Sequence, residues 1–410
     1  MVLCVVLWEI PELNIVKRRL ENSLRIVVYN RNFLTVAFRM LSAYGYRNED
    51  FPEAIHLLEH MLFKPEEKVF TVFQKIGGDI NGYVGIDEFG IHWIVPKVFQ
   101  EKAIEAVRDI LTENRRYWTE TMLEREKHII LGETREKFSN PRTYVNILLR
   151  KKLFGENTPG THPPEVIEKA FRNATLDTIR REAENISPEI SVLAGVGNVD
   201  FEKLEHLNTW HGRPSKIKNL KPEPDYGVHF VEKDVQENFI ALGWISAPKS
   251  SVDSEILSLL GAIMTAFPMS RLYRRLRLEL GLVYYVGAAN MGFVDTGYFT
   301  INTSTVPQKT QYVIEIIRSE ITEIIDNGVS MEEIEDMKNL FFGSLYNITD
   351  SKIALSSMIA YNELFYGDAL KTYRETAVMV SKLKPEDIQR VAKRYLTPEK
   401  SVICIVGRKI

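Results

Sequence analysis

Cysteine is almost absent from this chain. Cys4 and Cys404 are the only two in 410 residues, and each sits in a short apolar run that reads as a strand. That excludes a disulfide framework and fits a reducing, cytoplasmic setting. Charge excess is missing as well: 52 Lys and Arg stand against 55 Asp and Glu, for a formal net charge of -3. With no dense basic block, a strong attraction to phosphate backbones is excluded, and no nucleic-acid partner is expected. No apolar run reaches membrane-spanning length, and the opening Met1 to Leu7 has no basic flank and is broken by Glu9 and Pro11. Neither a membrane span nor a secretory signal is expected. Low complexity is absent too, since 45% hydrophobic and 26% charged residues with Gly 23 and Pro 17 describe an ordinary globular chain.

What is present begins with length, which exceeds one ordinary core and favours two domains. A long-period repeat supports that division. Pro188-Glu-Ile-Ser-Val-Leu-Ala-Gly-Val-Gly197 is echoed 210 residues later by Pro398-Glu-Lys-Ser-Val-Ile-Cys-Ile-Val-Gly407. Each copy follows a polar helical stretch, Leu176 to Asn185 or Pro385 to Tyr395, and reads as helix, Pro-Glu turn and buried strand. The Pro-rich, polar stretch 213–227 reads as a linker between domains 1–212 and 228–410. Leu24 to Tyr29 and Leu34 to Leu41 open the first as strands, Val228 to Val231 and Phe239 to Ile245 the second. Helices are predicted over Ala103 to Trp118, Thr121 to Phe138, Thr310 to Asn327 and Met331 to Tyr346, with capping-box spacing at Thr121/Glu124 and Ser330/Glu333. This pattern predicts an α+β fold of two homologous α/β sandwich domains, each a mixed sheet with helices, arising from an internal duplication.

The strongest local signal is His56-Leu57-Leu58-Glu59-His60. On a helix the two imidazoles lie one turn apart on the same face with Glu59 beside them. That pair can hold one Zn²⁺ while the carboxylate takes a proton from water on the ion. Such a triplet arises by chance in roughly one in a hundred chains of this length, so composition explains it poorly. The competing reading is an amphipathic helix whose histidines are satisfied in a core. A catalytic zinc wants a third protein ligand, and the Glu-rich stretch Thr121 to Phe138 offers several. Glu126 and Glu133 lie ~20° short of two full turns apart and share a face, yet spacing does not choose Glu133 over Glu124 or Glu136.

His56-Leu-Leu-Glu-His-Met-Leu-Phe63 resembles the zinc-binding helix of the pitrilysin, insulysin and mitochondrial processing peptidase family. Ile76-Gly-Gly-Asp-Ile-Asn-Gly-Tyr83 is similar to that family's Gly-Gly and Asn-Ala strand, Arg125-Glu126 to Gly132-Glu133 to its second-helix Glu pair, and Leu276 to Tyr284 to its Arg and Tyr segment. The resemblance covers nearly the whole chain. It implies a zinc endopeptidase with one Zn²⁺ per chain on His56, His60 and Glu133, with Glu59 as general base and Glu126 as assisting carboxylate. Arg277 and Tyr284 would stabilise the oxyanion, and Asn81, Gly82, Tyr83 and Val84 would bind the peptide substrate in extended form. It also implies four homologous domains around a closed chamber. This chain would be one half of that clam shell, completed as a homodimer or, failing that, as a heterodimer with a related chain. Three positions depart from the family pattern: Glu53 replaces a Gly three residues before the first His, Pro65-Glu66 replaces Gly-Thr, and Gly82 replaces Ala. No His follows His229, so the second domain is expected to lack a metal site. Two other function classes compete, a non-catalytic chamber subunit that binds peptide or a related peptidase, and a metal hydrolase of non-peptide amides.

Overall fold

Runs rich in β-branched and aromatic residues supply the strands, and the most uniformly apolar of them take the interior positions. The computed structural model describes residues 10–64 and 66–409; Met1 to Leu7 with Cys4, and Pro65, lie outside them. The first sheet contains β1 (Ile15–Arg19), β2 (Arg25–Asn30), β3 (Thr35–Ser42), β4 (Asp79–Val84), β5 (Phe89–Pro96) and β6 (Ser191–Gly197) in the order β1-β2-β6-β3-β5-β4. The second contains β7 (Gly227–Glu232), β8 (Asn238–Ser246), β9 (Val286–Gly292), β10 (Gly297–Thr305) and β11 (Val402–Gly407) in the order β7-β11-β8-β10-β9. Both sheets are mixed, because β2 runs parallel to β6 and β7 parallel to β11 while the other pairs are antiparallel. The two repeated apolar runs become β6 and β11, each buried along its whole length. Cys404 on β11 is a buried thiol, pushed up to about 12 by that burial and so inert.

Five α-helices precede residue 155 among the described residues: α1 (Ala54–Leu62), α2 (Glu66–Lys75), α3 (Gln100–Leu111), α4 (Glu120–Ser139) and α5 (Pro141–Phe154). The chain forms two compact units, and each draws on both halves of the sequence. The first takes residues up to 130 with 169–218 and 340–381; the second takes 131–168, 219–339 and 382 onward. In the first unit the helix Lys352–Tyr366 packs on β3 and β6, and in the second α5 packs on β8 and β11. This is an α+β fold with two sheet-bearing regions. Among the described residues no helix is long and apolar enough to cross a membrane.

The helices Leu176–Asn185, Thr310–Asn327 and Pro385–Tyr395 have the bounds their sequence predicts. The helix predicted over Ala103 to Trp118 stops earlier, at Leu111. A 3-10 turn over Asn114–Tyr117 follows, in which the buried Asn114 Nδ2 donates to the Leu62 carbonyl at 3.2 Å, satisfying an otherwise orphaned acceptor at the end of α1. The predicted Thr121/Glu124 box does not cap α4, because the helix starts at Glu120 and Thr119 Oγ1 accepts from the Met122 amide at 3.2 Å. The Ser330/Glu333 box forms reciprocally, at 3.1 and 2.7 Å. Between the sheets, residues 210–226 have no regular secondary structure. The part before residue 219 is strapped down within the first unit by Asn48 Nδ2 on the Lys216 carbonyl at 2.8 Å and Arg47 on the Lys218 carbonyl at 3.2 Å.

Candidate metal and catalytic site

Helix α1 is apolar at Ala54, Ile55, Leu57, Leu58, Met61 and Leu62, all of which are buried. That periodicity leaves His56, Glu59 and His60 together on the opposite face. Their side chains are 12%, 16% and 17% exposed, shielded from bulk solvent but reachable by water. Each offers a ligand atom, and these three atoms lie within 4.8 Å of one another. The two imidazoles cross at 86° with centroids 4.9 Å apart, and His60 Nε2 lies 3.9 Å from Glu59 Oε2. The structure therefore assembles the predicted triplet without rearrangement.

Each imidazole is also backed by a carboxylate. His60 Nδ1 meets Oε2 of the buried Glu126 at 3.0 Å, and His56 Nδ1 meets Oε2 of the buried Glu53 at 2.7 Å. Ionised carboxylates only accept, so both rings carry the proton on Nδ1. The second oxygen of Glu126 is 3.0 Å from Arg125 Nε and 3.8 Å from Lys64 Nζ. These cations pair with a carboxylate that is itself almost fully buried and offset the cost of placing a charge there. Lys64 is itself held below its usual range by burial, against the opposing pull of Glu126.

Strand β4, which carries Asn81, Gly82, Tyr83 and Val84, is the edge strand of the first sheet and packs against α1. The turn that closes the β4–β5 hairpin has the Gly85 amide on the Glu88 carbonyl at 2.7 Å. Counting back in the antiparallel register, Tyr83 and Asn81 exchange backbone bonds with β5, whereas Ile80, Gly82 and Val84 turn theirs outward. The outward Gly82 amide is met by the Asn81 side-chain oxygen at 2.9 Å. The Tyr83 ring lies over Gly90 and under the Arg39 guanidinium, 4.3 Å away, so its ring packs within the sheet while its backbone pairs with β5.

A Cβ at Gly82 would stand 2.5 Å from Glu59 Oε1 and 2.7 Å from the Phe63 ring. The departure from Ala at this position thus lets the strand and the Glu59 carboxylate come into contact. Gly82→Ala should push the Glu59 carboxylate aside while leaving the histidines in place. We expect a fall in turnover of about 10²-fold, the size seen for ångström-scale misplacement, with metal content unchanged. Metal analysis beside steady-state rates checks this, and normal turnover would show that Glu59 tolerates the shift.

What fixes β4 against α1 is the loop that precedes the helix. Tyr46 and Arg47 amides donate to the Gly85 and Ile86 carbonyls at 2.9 and 3.2 Å, and Arg47 Nε pairs with Asp87 Oδ1 at 2.9 Å, both side chains 2% exposed. A Cβ at Gly45 would meet the Gly85 and Ile86 carbonyl oxygens at 2.5 Å, so this close approach requires glycine.

The other predicted residues lie on α4 and in the second unit. Glu133 is half-buried on α4, in the portion grouped with the second unit, while Glu124 and Glu136 are exposed. Arg277 lies in a π-helical segment, Tyr273–Glu279, with its guanidinium carbon 4.6 Å from the Tyr284 ring centroid and 5.0 Å from that of Tyr273. Tyr284 is 75% exposed and Arg277 half-buried, so the ring of this pair faces solvent. A second potential ligand cluster, Glu101, Glu105 and His206, is more open. Glu101 there pairs with Lys203 at 2.6 Å, which accounts for the grouping as a surface ion-pair network. In sequence, Glu53 registers only as a departure from the family pattern; its place three residues before His56 is the available signal of a role.

Comparison with known proteins adds four findings. A family model described as the peptidase M16 inactive domain matches residues 183–341, outside the α1 triplet. An uncharacterized zinc protease of Rickettsia bellii is 26% identical over 404 residues, covering 92% of this chain and 94% of the relative. A crystal structure of a peptidase M16 inactive domain from Pseudomonas fluorescens has the same fold, with a TM-score of 0.86 at 18% identity over 97% of this chain and 99% of that one. A protease from Helicobacter pylori is equally similar, at 0.86 and 18% over 96% and 100%. The chain is thus similar to the peptidase M16 inactive domain in sequence over residues 183–341 and shares the fold of M16 proteins over nearly its whole length.

Proposed function

We propose that this chain is a zinc-dependent endopeptidase hydrolysing unfolded peptides, with one Zn²⁺ held by His56, His60 and Glu133. The observation that carries the reading is the α1 face itself: two imidazoles and a carboxylate with ligand atoms within 4.8 Å, each imidazole buttressed at Nδ1 by a buried carboxylate. This donor set fits zinc, which takes imidazole and carboxylate ligands whose rings are oriented by a further acceptor. With Nδ1 engaged, ligation falls to Nε2 of each ring. When bound, the ion supplies Lewis acidity toward water and the scissile carbonyl.

Glu59 then removes a proton from the attacking water and returns it to the leaving amine. The edge of β4 aligns the peptide by main-chain pairing, for which the substrate must displace Asn81 from the Gly82 amide. Arg277 and Tyr284 donate to the developing oxyanion. The shared strand order of β2-β6-β3-β5-β4 and β7-β11-β8-β10-β9 supports an internal duplication, in which 1–212 carries the metal and 228–410 contributes shape and charge. Two chains would then enclose a chamber that selects peptides by length and lack of structure, in a reducing cytoplasm.

Quenched peptides of graded length, assayed with and without chelator, test the function. Chelator-sensitive cleavage confined to short or unfolded substrates is expected, and metal binding without turnover of any peptide would leave a binding subunit instead. Within the site, Glu133→Ala should lower zinc content and activity together, whereas Glu126→Ala should weaken metal affinity by about 10–100-fold, as loss of an orienting partner does. Stoichiometric zinc in Glu133→Ala but not in Glu126→Ala would exchange the two roles.

A further inference from the structure

Residue 53 stands immediately before α1 in left-handed backbone, φ 64 and ψ 19. Glycine adopts that conformation freely, whereas a side chain costs about 1–2 kcal/mol there. Among the described residues only Ser23 and Glu53 are non-glycine with positive φ. Glu53 is also 5% exposed, an expensive place for a carboxylate unless it is paired. A helix N-cap carboxylate ordinarily accepts from backbone amides of the first turn, yet Glu53 makes no such side-chain cap. Its Oε2 meets the side chain of His56, at Nδ1, at 2.7 Å, with Tyr46 Oη at 3.5 Å on the same oxygen. The Ile55 amide is met by Glu49 instead, at 3.4 Å. Strain, burial and a forgone cap therefore attend a carboxylate placed against His56.

We propose that Glu53 is a positioning residue that fixes the ring orientation and tautomer of His56 for metal binding, the counterpart on this ring of Glu126 on His60. The inference rests on the reading of α1 as a zinc site. Glu53 does not touch substrate; it acts through the imidazole by holding the proton on Nδ1, aiming Nε2, and making that nitrogen a stronger donor. No titration is involved, because the carboxylate is an acceptor throughout.

The test is zinc affinity by chelator competition, together with the visible absorption spectrum of the Co²⁺-substituted protein, for wild type, Glu53→Gly, Glu53→Gln and His60→Ala. Glu53→Gly relieves the backbone and removes the carboxylate, so its thermal midpoint should equal or exceed that of wild type. Its zinc affinity should nevertheless fall about 10–100-fold, with faster loss of metal to chelator and an altered Co²⁺ spectrum. Glu53→Gln keeps an acceptor oxygen and should fall between the two. If wild type binds zinc tightly, His60→Ala loses it, and Glu53→Gly matches wild type in affinity and spectrum, the positioning role is overturned while the metal site stands. If His60→Ala binds as wild type does, the metal-site reading fails and this inference fails with it.

Discussion

Replacing Glu59 by Gln is expected to leave zinc bound and to remove nearly all turnover. The amide has the shape of the carboxylate and stays on the polar face of α1 beside His56 and His60, whose Nδ1 partners, Glu53 and Glu126, are untouched. Nothing that holds the metal is altered. What is lost is a base, since an amide oxygen does not take a proton from water at neutral pH, and a positioned general base contributes about 10²–10⁴-fold. Single-turnover rates on a quenched peptide, with zinc content measured on the same sample, report the two quantities separately. Near-normal rates at full zinc occupancy would remove Glu59 from the mechanism. Loss of zinc together with loss of rate would make Glu59 part of the metal site and not its base.

The parts of this molecule that are legible in the sequence are those fixed by short-range pattern. Helices such as Leu176–Asn185 and Thr310–Asn327 carry their own amphipathic period, and β6 and β11 are apolar runs bounded by a Pro-Glu turn and a Gly. The His-x-x-Glu-His face belongs to the same class, because one helical turn brings its members together whatever surrounds them. Where distant contacts decide the outcome, the pattern is silent. Nothing local tells α5 to pack on β8 and β11, or Lys352–Tyr366 to pack on β3 and β6, since an apolar helix face fits any apolar sheet. Likewise α3 ends early because Asn114 finds the last carbonyl of α1, 52 residues away.

Within the site the same division holds. Spacing puts Glu126 and Glu133 on one face of α4, but only burial separates them from their neighbours: Glu126 is 1% exposed and Glu133 half-buried, while Glu124 and Glu136 are exposed. Glu53 reads in sequence as a missing glycine. Its carboxylate becomes meaningful only once the left-handed backbone turns it toward His56. Gly82 likewise reads as a lost methyl until the Glu59 oxygen is found where that methyl would be.

Two inactive variants are expected to restore activity to each other. We propose further that, in the two-chain assembly, the Arg277 and Tyr284 of one copy serve the metal of the second, so a lone chain is incomplete and a homodimer holds two shared sites. The stacking of Arg277 on the solvent-facing Tyr284 ring suits a pair presented outward to a partner. His56→Ala removes a ligand from its own chain and should abolish activity, and Arg277→Ala should remove oxyanion stabilisation worth about 10²–10³-fold. After subunit exchange, each mixed dimer contains one site bearing both lesions and one site bearing neither. Random exchange makes half of the dimers mixed, so activity should return to about a quarter of wild type. Mass measurement of isotopically distinct chains establishes that exchange has occurred, which separates a failure to mix from a failure to complement. If exchange is complete and the mixture stays inactive, Arg277 acts within its own chain or not at all.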